Sequence, residues 1–138
     1  MSRQIFINLP VQDLARATAF YAAVGAVRNP QFSDDTAACM VISDTLFVML
    51  LTHPKWATFT QKPIVDAHRE SEVMLALTCE SRVEVDKLTD DAAAAGGKAD
   101  VNPKQDLGFM YGRSFEDVDG HIWEVFYMDM SQMPRGEG

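Results

Sequence analysis

The sequence predicts an α+β domain in which two βαβββ modules, with mainly antiparallel sheets, form a cup-shaped, barrel-like cavity. Two helix-start signals, Asp13 and Ser81, stand 68 residues apart in a chain of 138 residues. A strand-like run precedes each and strand-like runs follow each, so the order strand, helix, strand, strand, strand occurs twice. A single helix covers only one side of such a sheet, so two sheets are expected to pair around a shared cavity.

The elements follow in order. Residues 5–11 alternate as a strand, and Asp13 caps a helix with Leu14, Ala17, Tyr21 and Val24 on one stripe, closed by Gly25. A small strand at 27–29 precedes strands at 37–42 and 46–51, joined by a turn at Ser43-Asp44-Thr45. In the second half a strand at 73–78 leads to Ser81, which forms an S-x-x-E capping box with Glu84. Val85, Leu88, Ala92 and Ala95 make the apolar stripe before Gly96-Gly97. Strands at 98–101, 109–116 and 122–128 complete the module, the last two joined through Asp119-Gly120. Module one spans about residues 1–52, a linker with a short helix around 55–61 fills about 53–71, module two spans about 72–130, and a short tail covers 131–138.

Composition narrows the function classes. With 47% apolar and 23% charged residues the chain has the make-up of one folded domain, long enough to bury a core without disulfides. Its net charge of -8, with no Lys/Arg cluster, excludes nucleic acid and anionic membrane as expected partners. Cys39 and Cys79 lie in separate strand-like runs without metal-knuckle spacing and read as reduced core residues. The apolar run near the start is too short for a signal peptide or a membrane span, which points to a cytoplasmic protein.

The most informative residue is Glu124, a carboxylate inside the otherwise apolar run Ile122 to Met128. A buried carboxylate must be protonated, hydrogen-bonded, paired or metal-bound, since leaving it bare costs several kcal/mol. The plain structural alternative is an edge strand that opens Glu124 to water. Alternation also groups Phe109, Tyr111, Arg113 and Phe115, so a guanidinium lies among aromatic rings on a face able to hold an anion or a planar group. The structural alternative there is an Arg113 that extends to solvent or pairs with Asp117 or Glu124. Tyr21, Trp123 and Tyr127 read as core or wall aromatics whose polar atoms find partners.

The chain resembles the vicinal oxygen chelate superfamily of glyoxalases, bleomycin-resistance proteins and extradiol dioxygenases, and within it the small bacterial group described as lactoylglutathione lyase-like. The resemblance rests on Asn8-Leu9-Pro10-Val11 with Asp13-Leu14 and Phe20-Tyr21, on Ser81-Arg82, Val85-Asp86 and Gly96-Gly97, and on GFMYGRSFEDVDGHIWE at Gly108 to Glu124. Val118 departs from it, standing where a proline is usual. The resemblance implies a divalent metal held by one residue from the first and one from the last strand of each module. At those positions stand Phe6, Met49 or Leu50, Met74 and Glu124, of which only Glu124 can ligate; Glu72 is the nearest other hard ligand. His53, His68 and His121 are the candidates for a rearranged centre.

The expectation is therefore a small-molecule-binding glyoxalase-like protein with a degraded metal centre and no cofactor, in which Glu124 acts as base or hydrogen-bond acceptor. Phe6, Asn8, Met49, Met74, Phe109, Tyr111 and Arg113 are expected to line the ligand site. A metal-dependent lyase using Glu124, Glu72 and a displaced histidine is one alternative, and non-enzymatic sequestration of a toxin or antibiotic is the other. The ligand is an unidentified small organic molecule, and a homodimer is expected because one chain leaves apolar sheet surface uncovered.

Overall fold

A computed structural model describes residues 3–132, so the end of the expected tail lies outside the described residues. The first module consists of β1 (Ile5–Val11), α1 (Leu14–Ala23), β2 (Val27–Asn29), β3 (Ala37–Val41) and β4 (Leu46–Thr52). After α2 (His53–Trp56) and a linker come β5 (Met74–Thr78), α3 (Arg82–Ala94), β6 (Lys98–Ala99), β7 (Gln105–Asp106), β8 (Met110–Glu116) and β9 (Ile122–Met128). The α+β class and the two βαβββ modules are as the sequence predicts, without a closed barrel.

The sheets are mainly antiparallel, as expected, but each contains one parallel pair. Their orders are β1-β4-β3-β2 and β5-β9-β8-β6, with β7 also pairing β8, and the outermost pairs β1–β4 and β5–β9 are parallel. Counting chain directions explains this. A strand, a returning helix and three successive reversals leave the last strand running with the first. The additional strand β7 carries Gln105 and Asp106 opposite Gly112 and Tyr111.

The caps form as their residue types dictate. The Asp13 carboxylate accepts from Arg16 N, and the Ser81 hydroxyl accepts from Glu84 N. Glu84 reaches back to Glu80 N at 3.3 Å, one residue before the position that a capping box implies. Both helices end in glycines with positive φ, Gly25 at 100° and Gly96 at 101°. Gly97 has a different reason to be small: a Cβ there would press on the Glu116 carbonyl oxygen and sit 2.8 Å from the Phe20 ring.

One core joins the modules. Leu9, Met40, Val48 and Leu50 of the first sheet, Phe115, Trp123 and Val125 of the second and Val85 of α3 pack with Phe20 and Tyr21 of α1. Within this core Tyr21 donates to Asp117 Oδ2 at 2.5 Å and accepts from Trp123 Nε1 at 3.0 Å. Asp117 also accepts from the amides of Asp119 and His121. Burial pushes the Asp117 carboxyl above its usual range, and burial followed by Asp117's charge pushes the Tyr21 hydroxyl well above its own. The polar atoms of Tyr21 and Trp123 thus find partners, as expected of core aromatics. Cys39 and Cys79 are both free and buried, and burial, then Glu84, pushes Cys79 up to about 12.

Candidate functional site

The helices cover one face of each sheet and leave the other without a helix. In β1 and β4 the register sets Phe6 beside Phe47 and Asn8 beside Met49, all on the helix-free face, whereas Leu50 is fully buried on the other. The choice left open between Met49 and Leu50 thus resolves to Met49. Phe6 remains 49% exposed and stacks on Phe47, with centroids 4.4 Å apart and planes 8° from parallel.

On the second sheet Glu124 lies on β9 between Ala76 of β5 and Ser114 of β8. Because β9 is an inner strand, the edge-strand explanation for this carboxylate fails. Glu124 is half-buried, and its carboxylate makes no hydrogen bond among the described residues. Its neighbours explain how it keeps contact with water: Ala76 and Ser114 are small, as is Gly112 opposite Phe126, so no bulky side chain is paired directly beside the carboxylate. Met74, 55% exposed, shares this face through its pairing with Ile122, and Glu72 is exposed just before β5.

Tyr111 and Arg113 are on the opposite face, which corrects the expectation that Arg113 walls the same cup as Glu124. Antiparallel partners share a face, and Glu124 is opposite Ser114, while Arg113 is opposite Val125. Alternation gives the two faces of a strand but not which face meets which on its neighbour; the connection at Asp117 to His121 fixes that. Arg113 grips Asp100 with two hydrogen bonds of 3.0 and 2.8 Å and reaches Asp86 at 3.1 Å and Asp90 at 3.3 Å. Asp100 foremost, then Asp86, hold the guanidinium above its ordinary range. Tyr111 donates to Asp86 at 2.6 Å, while the side chain of Arg82 stacks over its ring at 4.9 Å. Phe109 precedes β8, and its carbonyl accepts from Asp129 N at 2.7 Å.

Sequence reasoning missed Asn102. At Asp100 a positive φ of 56° ends the strand begun by β6, and Asp100 N donates to the Ser114 carbonyl. Two residues on, Asn102 N donates to Ser114 Oγ at 2.8 Å, and that hydroxyl donates to the Asn102 carbonyl at 3.3 Å. The Asn102 side-chain amide then reaches Met74 Sδ at 3.6 Å. Ser114 and Met74 stand on strands either side of β9, so this residue bridges over Glu124's strand. The only signal in the sequence is Asn102-Pro103, which marks a turn.

The three histidines gather elsewhere. His53, His68 and His121 line a cavity of about 460 Å³ with Arg16 and Asp119, away from Glu124. His121 Nε2 lies 2.9 Å from the Pro10 carbonyl, which can only accept, so that nitrogen carries a proton. Among the described residues no three His, Cys, Asp or Glu side chains are placed to hold a metal ion. Among the described residues the donors on Glu124's own face are carboxylates without an imidazole, and these do not fit the metal centre that the resemblance implies.

Two βαβββ modules, each with a helix-free sheet face, and a lone carboxylate on the last strand of the second define a glyoxalase-type domain. The chain belongs to the glyoxalase/bleomycin resistance protein/dioxygenase superfamily, whose family model matches residues 3–125. It is similar to the structure of a hypothetical protein from S. aureus, with 29% identity, 92% of this chain and 95% of that one covered, and a TM-score of 0.76. A glyoxalase-related enzyme from Fulvimarina pelagi shares 20% identity over 99% of this chain and 94% of that one, with a TM-score of 0.75. A genomically encoded fosfomycin resistance protein from Listeria monocytogenes shares 21% over 99% and 96%, with a TM-score of 0.66. Comparison with curated proteins gives no match. No helix among the described residues is long and apolar enough to cross a membrane.

Proposed function

We propose that this chain binds a small organic molecule on the Glu124 face of its second sheet, as a family member whose usual metal centre is degraded. The observation that carries the reading is Glu124 itself: a half-buried carboxylate on an inner strand, without a hydrogen bond among the described residues and beside small side chains. Such a group is an acceptor or base awaiting a donor. Any catalysis is of the lyase or isomerase type and rests on Glu124 moving a proton. Phe6, Met49 and Met74 at the other implied ligand positions support chemistry without a metal. Elemental analysis of the purified protein tests this. About one zinc, nickel, manganese or iron per chain, retained through dialysis and lost in Glu124→Ala, would overturn it and favour a metal-dependent lyase.

The stacked, half-exposed pair Phe6–Phe47 favours a second reading, sequestration of a flat aromatic toxin or antibiotic without turnover. Stoichiometric binding of an aromatic compound that emerges chemically unchanged separates this from catalysis. The ligand site is completed in a homodimer, since the helix-free face of each sheet keeps apolar side chains such as Phe6 and Met74 about half exposed. Light scattering at low micromolar concentration should give twice the 15.3 kDa of one chain. The free, buried Cys39 and Cys79 suit a reducing cytoplasm.

A further inference from the structure

We infer that Glu124 and Asn102 together recognise a neutral carboxamide on an otherwise apolar ligand, a step that rests on the proposed ligand site at Glu124 and names its substrate class. Ser114, 2% exposed, sits beside Glu124 in the sheet, and its one hydroxyl serves both the amide and the carbonyl of Asn102. The backbone of Asn102 is thus fixed relative to the strand that carries the carboxylate. Its side chain crosses over β9 towards Met74, and among the described residues its Nδ2 finds only the thioether sulfur, at 3.6 Å. Sulfur is a weak acceptor, so a ligand oxygen displaces it at little loss.

The site therefore presents a donor, Asn102 Nδ2, reaching across β9 towards Met74, and an acceptor, the Glu124 carboxylate on that strand. A primary carboxamide, or a lactam, carries the complementary pair on one edge: its N–H donates to Glu124 and its carbonyl oxygen accepts from Asn102. A carboxylate would meet Glu124 as a like charge, and Glu116 shares this face. The chain's net charge of -8 acts in the same direction. A ketone could satisfy Asn102 alone. Around the polar pair Met74, Met110, Ile122 and Phe126 supply apolar surface, so the rest of the ligand is hydrophobic.

Benzamide, benzoate and acetophenone, which share a ring and differ in this edge, test the assignment by titration of the full chain followed by NMR. Benzamide should bind, with shifts at Glu124, Ser114 and the Asn102 side-chain amide, and acetophenone and benzoate should bind at least about tenfold more weakly, the loss of one hydrogen bond. Asn102→Ala should weaken benzamide and acetophenone by a similar factor, whereas Glu124→Ala should leave acetophenone no longer disfavoured relative to benzamide. Equal binding of the three compounds, or benzamide binding that Asn102→Ala leaves intact while Glu124→Ala abolishes it, overturns the carboxamide assignment and leaves a ligand site at Glu124 standing. Failure of benzamide to bind also overturns it. If a broader fragment screen then gives no shift on the Glu124 face, the ligand site itself falls.

Discussion

Replacing Tyr21 with Phe removes one oxygen from the junction of the two modules and changes little else in shape. That oxygen donates to Asp117 and accepts from Trp123, and both partners are at most 3% exposed. Asp117 keeps the donors Asp119 N and His121 N but loses its shortest hydrogen bond, and the Trp123 indole N–H is left without an acceptor. A hydrogen bond to a charged group and one between neutral groups together give a loss of about 2 to 4 kcal/mol. In urea this lowers the unfolding midpoint by about 1 to 3 M with an unchanged slope. The loss also depends on pH. Burial raises the folded pKa of Asp117, so its contribution is fully present below the unfolded value of about 3.9 and is lost as pH rises through the folded one. The Tyr21 hydroxyl opposes that rise by favouring the charged form. The penalty of Tyr21→Phe should therefore be smaller below about pH 4 and grow as Asp117 ionises. A variant that unfolds within about 0.5 kcal/mol of wild type, a change usual for an innocuous surface substitution, would refute the reasoning. A penalty independent of pH would show that the bond is not made to a titrating carboxylate.

Arg113→Ala should destabilise the protein by about 1 to 3 kcal/mol, because the guanidinium ties α3 and Asp100 to β8 but its acidic partners are partly solvated; ligand affinity should not change, since Arg113 is on the far face. Acid should weaken the fold: Tyr111 and Arg113 lower the Asp86 carboxyl, Arg113 lowers Asp100, and Arg82 lowers Asp106 to about 2. Depressed folded values mean stability present above the unfolded pKa and lost as pH falls from about 4 towards 2, which thermal melts across that window would reveal and a flat profile would contradict. Gly97→Ala should cost about 1 to 3 kcal/mol or more through overpacking against Phe20 and the Glu116 carbonyl, whereas a melt like that of wild type would mean the contact yields freely.

Much of the fold was legible because its signals are local. Asp13 and Ser81 cap the helices they were expected to cap, and the glycines after each helix stop it. Gly96 and Gly97 read as one signal but have separate causes: a left-handed backbone at the first and close packing at the second. The parallel pairing of β1 with β4 is a property of the whole module, recoverable by counting reversals but absent from any single strand. The two-residue strand β7 has no periodicity to detect, and its position is held by the Arg82–Asp106 pair, a contact between residues 24 apart.

The site was legible one residue at a time and not as an arrangement. Glu124 stood out because a carboxylate in an apolar run is costly wherever the strand lies, and the structure makes the cost specific by placing it on an inner strand. Arg113 looked equivalent, an ion among aromatics on an alternating strand, yet Asp86, Asp90 and Asp100 converge on it from α3 and the turn after β6. The difference between the two ions is the number of partners, which only the register across β8 and β9 and the path of α3 decide. Asn102 shows the same limit from the other side. Its residue type was visible, but its placement depends on one hydroxyl of a neighbouring strand, Ser114, holding its backbone so that its side chain crosses β9 to Met74, an arrangement assembled entirely from tertiary contacts.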